Sequence, residues 1–209
     1  MKIKSVGIIG AGTMGNGIAQ ACAVSGLNVV MVDINDAAVA KGLSTIASSL
    51  DRLIKKEKMT EAEKASALAR IKTSTNYQDF TGSQMVIEAA TENYDLKIKI
   101  LKQLDGIVSK DTIIASNTSS ISITQMAAEV SNPHRFIGMH FFNAVPMMTL
   151  VEIIRGLQTD DQTHGLVEEM SKVLGKEPIT VKNAPGFVVN RILVPMINEA
   201  FKTGGTHLI

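Results

Sequence analysis

The chain has 209 residues, 45% of them hydrophobic and 20% charged, with a formal net charge of +1. This is a globular composition with room for one α/β domain and a little more. So small a charge recruits neither nucleic acid nor an anionic membrane. The absence of Trp argues further against base stacking, and no run is apolar enough to span a bilayer.

Met1 leads directly into an apolar run, Lys4 to Ile9, so no leader is expected and the cytoplasm is the simplest location. That run ends in Gly10-Ala-Gly12-Thr-Met-Gly15, a helix-compatible segment follows from Asn16 to Ser25, and a second apolar run from Asn28 closes on Asp33. Strand, glycine turn, helix, strand and acid in this order form the dinucleotide-binding fingerprint. Gly10 permits the tight turn, Gly12 lets backbone approach a pyrophosphate, and Gly15 lets the helix lie close to the strand. The helix N-terminus receives the phosphates, with Thr13 and Met14 in the same turn. Asp33 accepts hydrogen bonds from the adenosine ribose. A carboxylate there repels the extra phosphate of NADP, and Ile34-Asn35-Asp36 supplies no Arg, so NAD is the expected cofactor. Cys22, the single cysteine, reads as a small core residue in a reducing compartment.

Helical periodicity runs from about Asp36 to Lys58, and Thr60-Glu-Ala-Glu63 is a capping-box start to a second helix ending near Arg70. The pair interrupts the alternation and reads as an inserted helical hairpin, about 36–70, standing off the sheet; the alternative is a solvated surface pair. Strand candidates follow at Ile71 to Ser74, Met85 to Glu88, Thr112 to Ala115, Phe136 to His140, Leu150 to Ile154 and Pro178 to Val181. Helices are expected from Asp95 to Val108, with Ile98, Leu101, Leu104 and Val108 on one face, from Ser122 to Glu129, and from Asp161 to Leu174. The alternation predicts a Rossmann-type, doubly wound, mostly parallel sheet over 1–184. Asn183-Ala-Pro185-Gly186 marks a boundary, and 185–209 reads as one helix to about Phe201, with Pro195 able to kink it, then an aperiodic tail.

Polar groups fall after successive strands, on the ligand edge of such a sheet: Glu88 to Glu92, Ser116 to Ser120, and His140 to Asn143. An imidazole titrating near neutrality suits proton transfer, and Glu152 on the next strand is its natural orienting partner. His134, His164 and His207 lack such company and read as surface residues. Ser119 could contact a substrate hydroxyl or cap a helix. Asn190 could be a substrate contact or a buried amide. Lys55 and Lys56 could bind an anion or form a solvated helix end. No metal-ligand spacing and no nucleophile elbow is present.

Taken together, Gly10-Ala-Gly-Thr-Met-Gly15, Val86-Ile-Glu-Ala-Ala90, Ala115-Ser-Asn-Thr-Ser-Ser120, Gly138-Met-His-Phe-Phe-Asn143, Val151-Glu152 and Pro185-Gly-Phe-Val-Val-Asn-Arg191 closely resemble the L-3-hydroxyacyl-CoA dehydrogenase family, in its order and spacing. The resemblance implies NAD-dependent, reversible oxidation of 3-hydroxyacyl-CoA, and 3-hydroxybutyryl-CoA is the expected substrate. It implies His140 as base held by Glu152, and Ser119 and Asn190 against the reacting oxygen. Asn143 supports the pocket, Glu92, Lys97 and Asn117 line the ribose and nicotinamide side, and Ser49 and Lys56 hold the CoA portion. Two departures stand out. Ala144 replaces the family's usual Pro, and only the first helix of the C-terminal helical domain, through which the family forms homodimers, is expected here. The alternatives are a nucleotide-binding module without turnover and a dehydrogenase of a free hydroxy acid.

Overall fold

A computed structural model describes residues 2–204. The glycine turn follows strand β1 (Ser5–Ile9) and leads into helix α1 (Thr13–Val24), which starts three residues earlier than the periodicity predicts, directly on Gly12. Then come β2 (Asn28–Val32), α2 (Asp36–Lys55), α3 (Glu61–Ala69), β3 (Ile71–Ser74), β4 (Met85–Glu88) and α4 (Tyr94–Asp105). The chain continues with β5 (Ile113–Ser116), α5 (Ile123–Ala127), β6 (Phe136–Phe141), β7 (Leu150–Arg155), α6 (Asp161–Val173), β8 (Glu177–Lys182) and α7 (Val189–Gly204). Short 3-10 turns occupy Tyr77–Phe80 and Pro133–Arg135.

The eight strands form one sheet in the order β3-β2-β1-β4-β5-β6-β7-β8. All neighbours are parallel except β6 and β7. The chain winds outward from β1 through β2 to β3 and returns to β4 on the other side, so the winding reverses between β1 and β4. The crevice above the carboxyl ends of those two strands is where such sheets receive ligands. Val6, Ile8, Met85, Ile87, Ala115, Ile137, Met139 and Ile153 face one buried layer, and Ile9, Val86, Leu101, Leu104, Phe136 and Ile154 the other. Strands buried on both faces read as nearly continuous apolar runs, which is why β4, β5 and β6 are legible.

The hairpin departs from expectation. The capping box is present, with Thr60 Oγ1 accepting from the Glu63 N–H at 3.2 Å and Glu63 Oε2 from the Thr60 N–H at 2.7 Å. But α2 does not stand off the sheet as a solvated element. Val39, Gly42, Ile46 and Leu50 are buried in the core, and a Cβ on Gly42 would lie 2.8 Å from the Ala11 carbonyl oxygen. An apolar stripe at helical spacing needs a surface to cover, and here it covers the glycine turn and α1. Beyond the boundary, α7 runs through Pro195 to Gly204. The expected tail is thus helical as far as Gly204, and 205–209, His207 among them, lie outside the described residues. Among the described residues no helix is long and apolar enough to cross a membrane.

Candidate active site

The glycine turn sits at the winding reversal. Gly10 has φ +100°, and a Cβ there would lie 2.7 Å from the Ala89 carbonyl oxygen, so the turn can approach the end of β4 only without a side chain. A Cβ on Gly15 would fall 1.8 Å from the Gly10 oxygen. Gly12 is different: a Cβ there would meet nothing within 4 Å. It caps α1 without a side-chain hydrogen bond, and no acidic residue occupies the first turn. The turn therefore offers unclaimed N–H groups and the positive helix end to open space, a cradle that fits a pyrophosphate. Asp33 also holds the turn, with Oδ2 accepting from the Ala11 N–H and Oδ1 from the Ile34 N–H, both at 2.6 Å.

Next to the cradle, β6 and β7 run antiparallel with His140 directly opposite Glu152, so both side chains leave the same face. His140 Nδ1 lies 2.8 Å from Glu152 Oε2. Both residues are buried, Glu152 completely. The bond orients the ring and leaves Nε2 as its other nitrogen. The Phe142 and Phe187 rings pack against the imidazole at centroid distances of 4.5 and 5.7 Å.

A third group joins the ends of β4 and β5. Glu88 is fully buried and accepts from Lys97 Nζ at 2.5 Å, Ser116 Oγ at 2.8 Å and the Ala90 N–H at 2.9 Å. Lys97, equally buried, also reaches Glu92 Oε2 at 3.5 Å. Glu92 Oε1 accepts from the Ser119 N–H at 2.6 Å, from Ser119 Oγ at 2.8 Å and from Thr118 Oγ1 at 3.1 Å. Burial alone would raise the Glu92 pKa. The Ser119 hydrogen bonds, the Lys97 ammonium and Thr118 outweigh it and hold the carboxyl below its ordinary range. Asn117 Oδ1 accepts from the Phe141 N–H at 2.9 Å, and Asn190 Nδ2 donates to the Ser119 carbonyl at 3.4 Å.

Most of the predicted residues divide between two neighbouring cavities; Gly10, Gly15 and Asn190 line neither. A cavity of about 400 Å³ is lined by Met14, Glu92, Lys97, Asn117, Ser119, His140 and Asn143, with Glu152 behind the imidazole. A larger one, about 500 Å³, is lined by Gly12, Thr13, Asp33, Ser49, Lys56 and Asn143. Ser49 and Lys56 therefore lie apart from His140, and Asn143 is on the wall of both cavities. Of the two readings of the Ser116 to Ser120 stretch, capping falls to Ser122 at the start of α5, while Ser119 faces Glu92. His134 is exposed and bonds the Gln158 carbonyl, and His164 is half-buried against Thr180. Cys22 is fully buried, and burial pushes its thiol up to about 12.

Glu88 belongs to the polar group Glu88 to Glu92 expected after β4, but its pairing with Lys97 is not read there, although an acid inside an apolar strand needs a partner. Other contributors are not singled out by the sequence. Lys41, Thr45 and Arg52 line the larger cavity with Ser49 and Lys56, and their helical spacing down α2 marked one face. Lys176, buried and donating to the Val145 and Met148 carbonyls at 2.6 and 2.8 Å, had no such signal.

A doubly wound sheet with an anion-ready helix end and a proton-transfer pair on one crevice defines a nucleotide-dependent oxidoreductase domain. Comparison with known proteins narrows the class. The model of the 3-hydroxyacyl-CoA dehydrogenase NAD-binding domain matches residues 5–184. A solved (S)-3-hydroxybutyryl-CoA dehydrogenase, PaaH1 of Ralstonia eutropha, is similar at 74% identity and a TM-score of 0.97, covering 100% of this chain and 74% of its own. Among curated relatives, the 3-hydroxybutyryl-CoA dehydrogenase of Bradyrhizobium diazoefficiens is 46% identical over 96% of this chain and 69% of its own length. The probable 3-hydroxybutyryl-CoA dehydrogenase of Deinococcus radiodurans is 48% identical over 94% of this chain and 70% of its own. The chain belongs to the 3-hydroxyacyl-CoA dehydrogenase family.

Proposed function

We propose that this protein interconverts (S)-3-hydroxybutyryl-CoA, or a closely related 3-hydroxyacyl-CoA, and the corresponding 3-ketoacyl-CoA, with NAD as cofactor and in a cytoplasm. The observation that carries the reading is the 2.8 Å bond between His140 Nδ1 and Glu152 Oε2 on the wall of a cavity that abuts the glycine-turn cradle. When bound, NAD supplies the acceptor for the hydride from C3. His140 Nε2 takes the C3 hydroxyl proton, and Glu152 fixes the tautomer this needs and stabilises the imidazolium. Ser119, held by Glu92, and Asn190 contact the reacting oxygen. Gly10, Gly12, Thr13, Gly15 and Asp33 hold the adenosine pyrophosphate half of the cofactor, and Met14, from the same turn, lines the imidazole side of its path. Glu92, Lys97, Asn117 and Asn143 line its nicotinamide side, and Ser49 and Lys56 hold the CoA portion. Residues 1–184 act as the cofactor domain, and the segment from 185 begins a separate helical unit.

A second reading is cofactor binding without efficient turnover. It is favoured by the apolar surface that α7 leaves exposed, including Ile192, Val194, Met196 and Phe201. Absorbance at 340 nm with acetoacetyl-CoA and NADH separates the two. The main reading expects NADH oxidation that falls ~10²–10⁴-fold in His140→Ala, the range for a general base. NADH binding without oxidation by the unmodified chain gives the second reading. Oxidation with free acetoacetate but not with its CoA ester makes the protein a dehydrogenase of a free acid.

A further inference from the structure

The turn between Pro185 and Asn190 touches the site at three points. Gly186 and Phe187 have φ of +74° and +49°. For a bulky residue such as Phe187 this is a rare conformation, one that persists only where the surroundings hold it. Here its ring is buried against His140. The N–H groups of Val188 and Val189 then both donate to Glu152 Oε1, at 3.0 and 2.9 Å. One residue further, Asn190 donates to the Ser119 carbonyl.

We infer that the Val188 and Val189 N–H groups are positioning groups of the active site. By occupying Glu152 Oε1 they leave Oε2 to His140 Nδ1, and they make the orientation of the carboxylate conditional on the docking of the first turn of α7. A carboxyl group rotates about its terminal bond with a broad, two-fold preference. The strand pairing brings Glu152 opposite His140 but does not choose which oxygen faces the ring or at what angle. Two donors on one oxygen make that choice, and bonds to a charged acceptor are the stronger kind. The positive end of α7 points at the same buried charge. The coupling is reciprocal: what the helix does for the carboxylate, the carboxylate does for the helix. The inference rests on the proposed role of His140 only for its kinetic consequence.

Amide hydrogen exchange in the cofactor-free full chain tests it without turnover. The Val188 and Val189 amides exchange ~10-fold or more faster in Glu152→Leu than in the unmodified protein, the factor expected for loss of a bond to a charged group. Glu152→Gln, whose amide oxygen still accepts, recovers part of the protection. Equal exchange in all three proteins overturns the inference. Should Glu152→Leu fail to fold, Val189→Pro removes one donor at a first helical position whose φ suits proline. It is expected to lower kcat about tenfold, for the loss of one charge-assisted bond, with KM for NADH unchanged. Unchanged kcat overturns the inference, as does a parallel rise in KM, which would mean general disorder. A chain without turnover but with protected amides removes the proposed function and leaves this coupling intact. An active chain whose amides are unprotected does the reverse.

Discussion

Gly12 and Gly15 separate binding from folding within four residues of chain. Gly12 has an ordinary φ of −65° and empty space where a Cβ would go. Gly12→Ala is expected to fold and to lose only about 2–4 °C of melting temperature, because nothing opposes the new methyl and the cost is confined to the poorer N-cap preference of Ala. Its Kd for NADH should rise tenfold or more, because the new methyl enters the phosphate cradle. Gly15→Ala places a carbon 1.8 Å from the Gly10 carbonyl and is expected to destabilise the fold outright. Differential scanning calorimetry and NADH fluorescence titration on both variants check this, and a normal Kd in Gly12→Ala would remove the phosphates from this turn. Such residues are legible because each type does something that few others can: a glycine that must be absent of side chain, an imidazole leaving a buried strand, an acid opposite it. Glu88 is harder to read. Its partner Lys97 is nine residues away on α4, and only the fold shows that the two meet.

Among the elements, helices and strands are legible wherever an apolar period is long, as in α4 and β4, and their ends fall within a few residues of expectation. The errors arise where tertiary contact decides. A sequence shows that α2 has an apolar stripe; it does not show that the stripe lies on the glycine turn. The loop after β6 is a further case. Its Asn143 lines both cavities, its Val145 packs against Gly17 of α1, and its carbonyls at 145 and 148 are held by the buried Lys176 ammonium. Burial pulls that ammonium below the ordinary lysine range, with Cys22 nearby opposing it. In Lys176→Met the buried Val145 carbonyl and the half-buried Met148 carbonyl lose their donor, at a cost of about 2–4 kcal/mol. At this chain length that corresponds to a fall in melting temperature of roughly 5–15 °C. Thermal unfolding followed by circular dichroism measures it. A fall below about 2 °C would show that the clamp contributes nothing.

At the scale of the whole molecule, the winding reversal between β1 and β4 sets a phosphate-ready helix end on the same sheet edge as His140, with β4 and β5 between β1 and the strand that carries the imidazole. The antiparallel pairing of β6 with β7 turns an acid twelve residues downstream back onto the imidazole. The cavity of the glycine turn and the cavity of the imidazole share Asn143, so a cofactor lying across that residue would reach from one to the other. Parallel alternation and the fingerprint make this topology readable in advance. The antiparallel reversal, the packing of the α2 stripe on the glycine turn and the return of α7 onto Glu152 depend on contacts between distant segments, and no local pattern encodes them.

In the proposed reaction the carbon oxidised and the proton removed lie between the nicotinamide and His140. The most direct measurement uses (S)-3-hydroxybutyryl-CoA carrying deuterium at C3, with the recovered NADH analysed by NMR. The label is expected in NADH, with its transfer slowed by about two orders of magnitude or more in His140→Ala and NADH affinity unchanged. Label lost to solvent, or transfer at an undiminished rate without the imidazole, would contradict it.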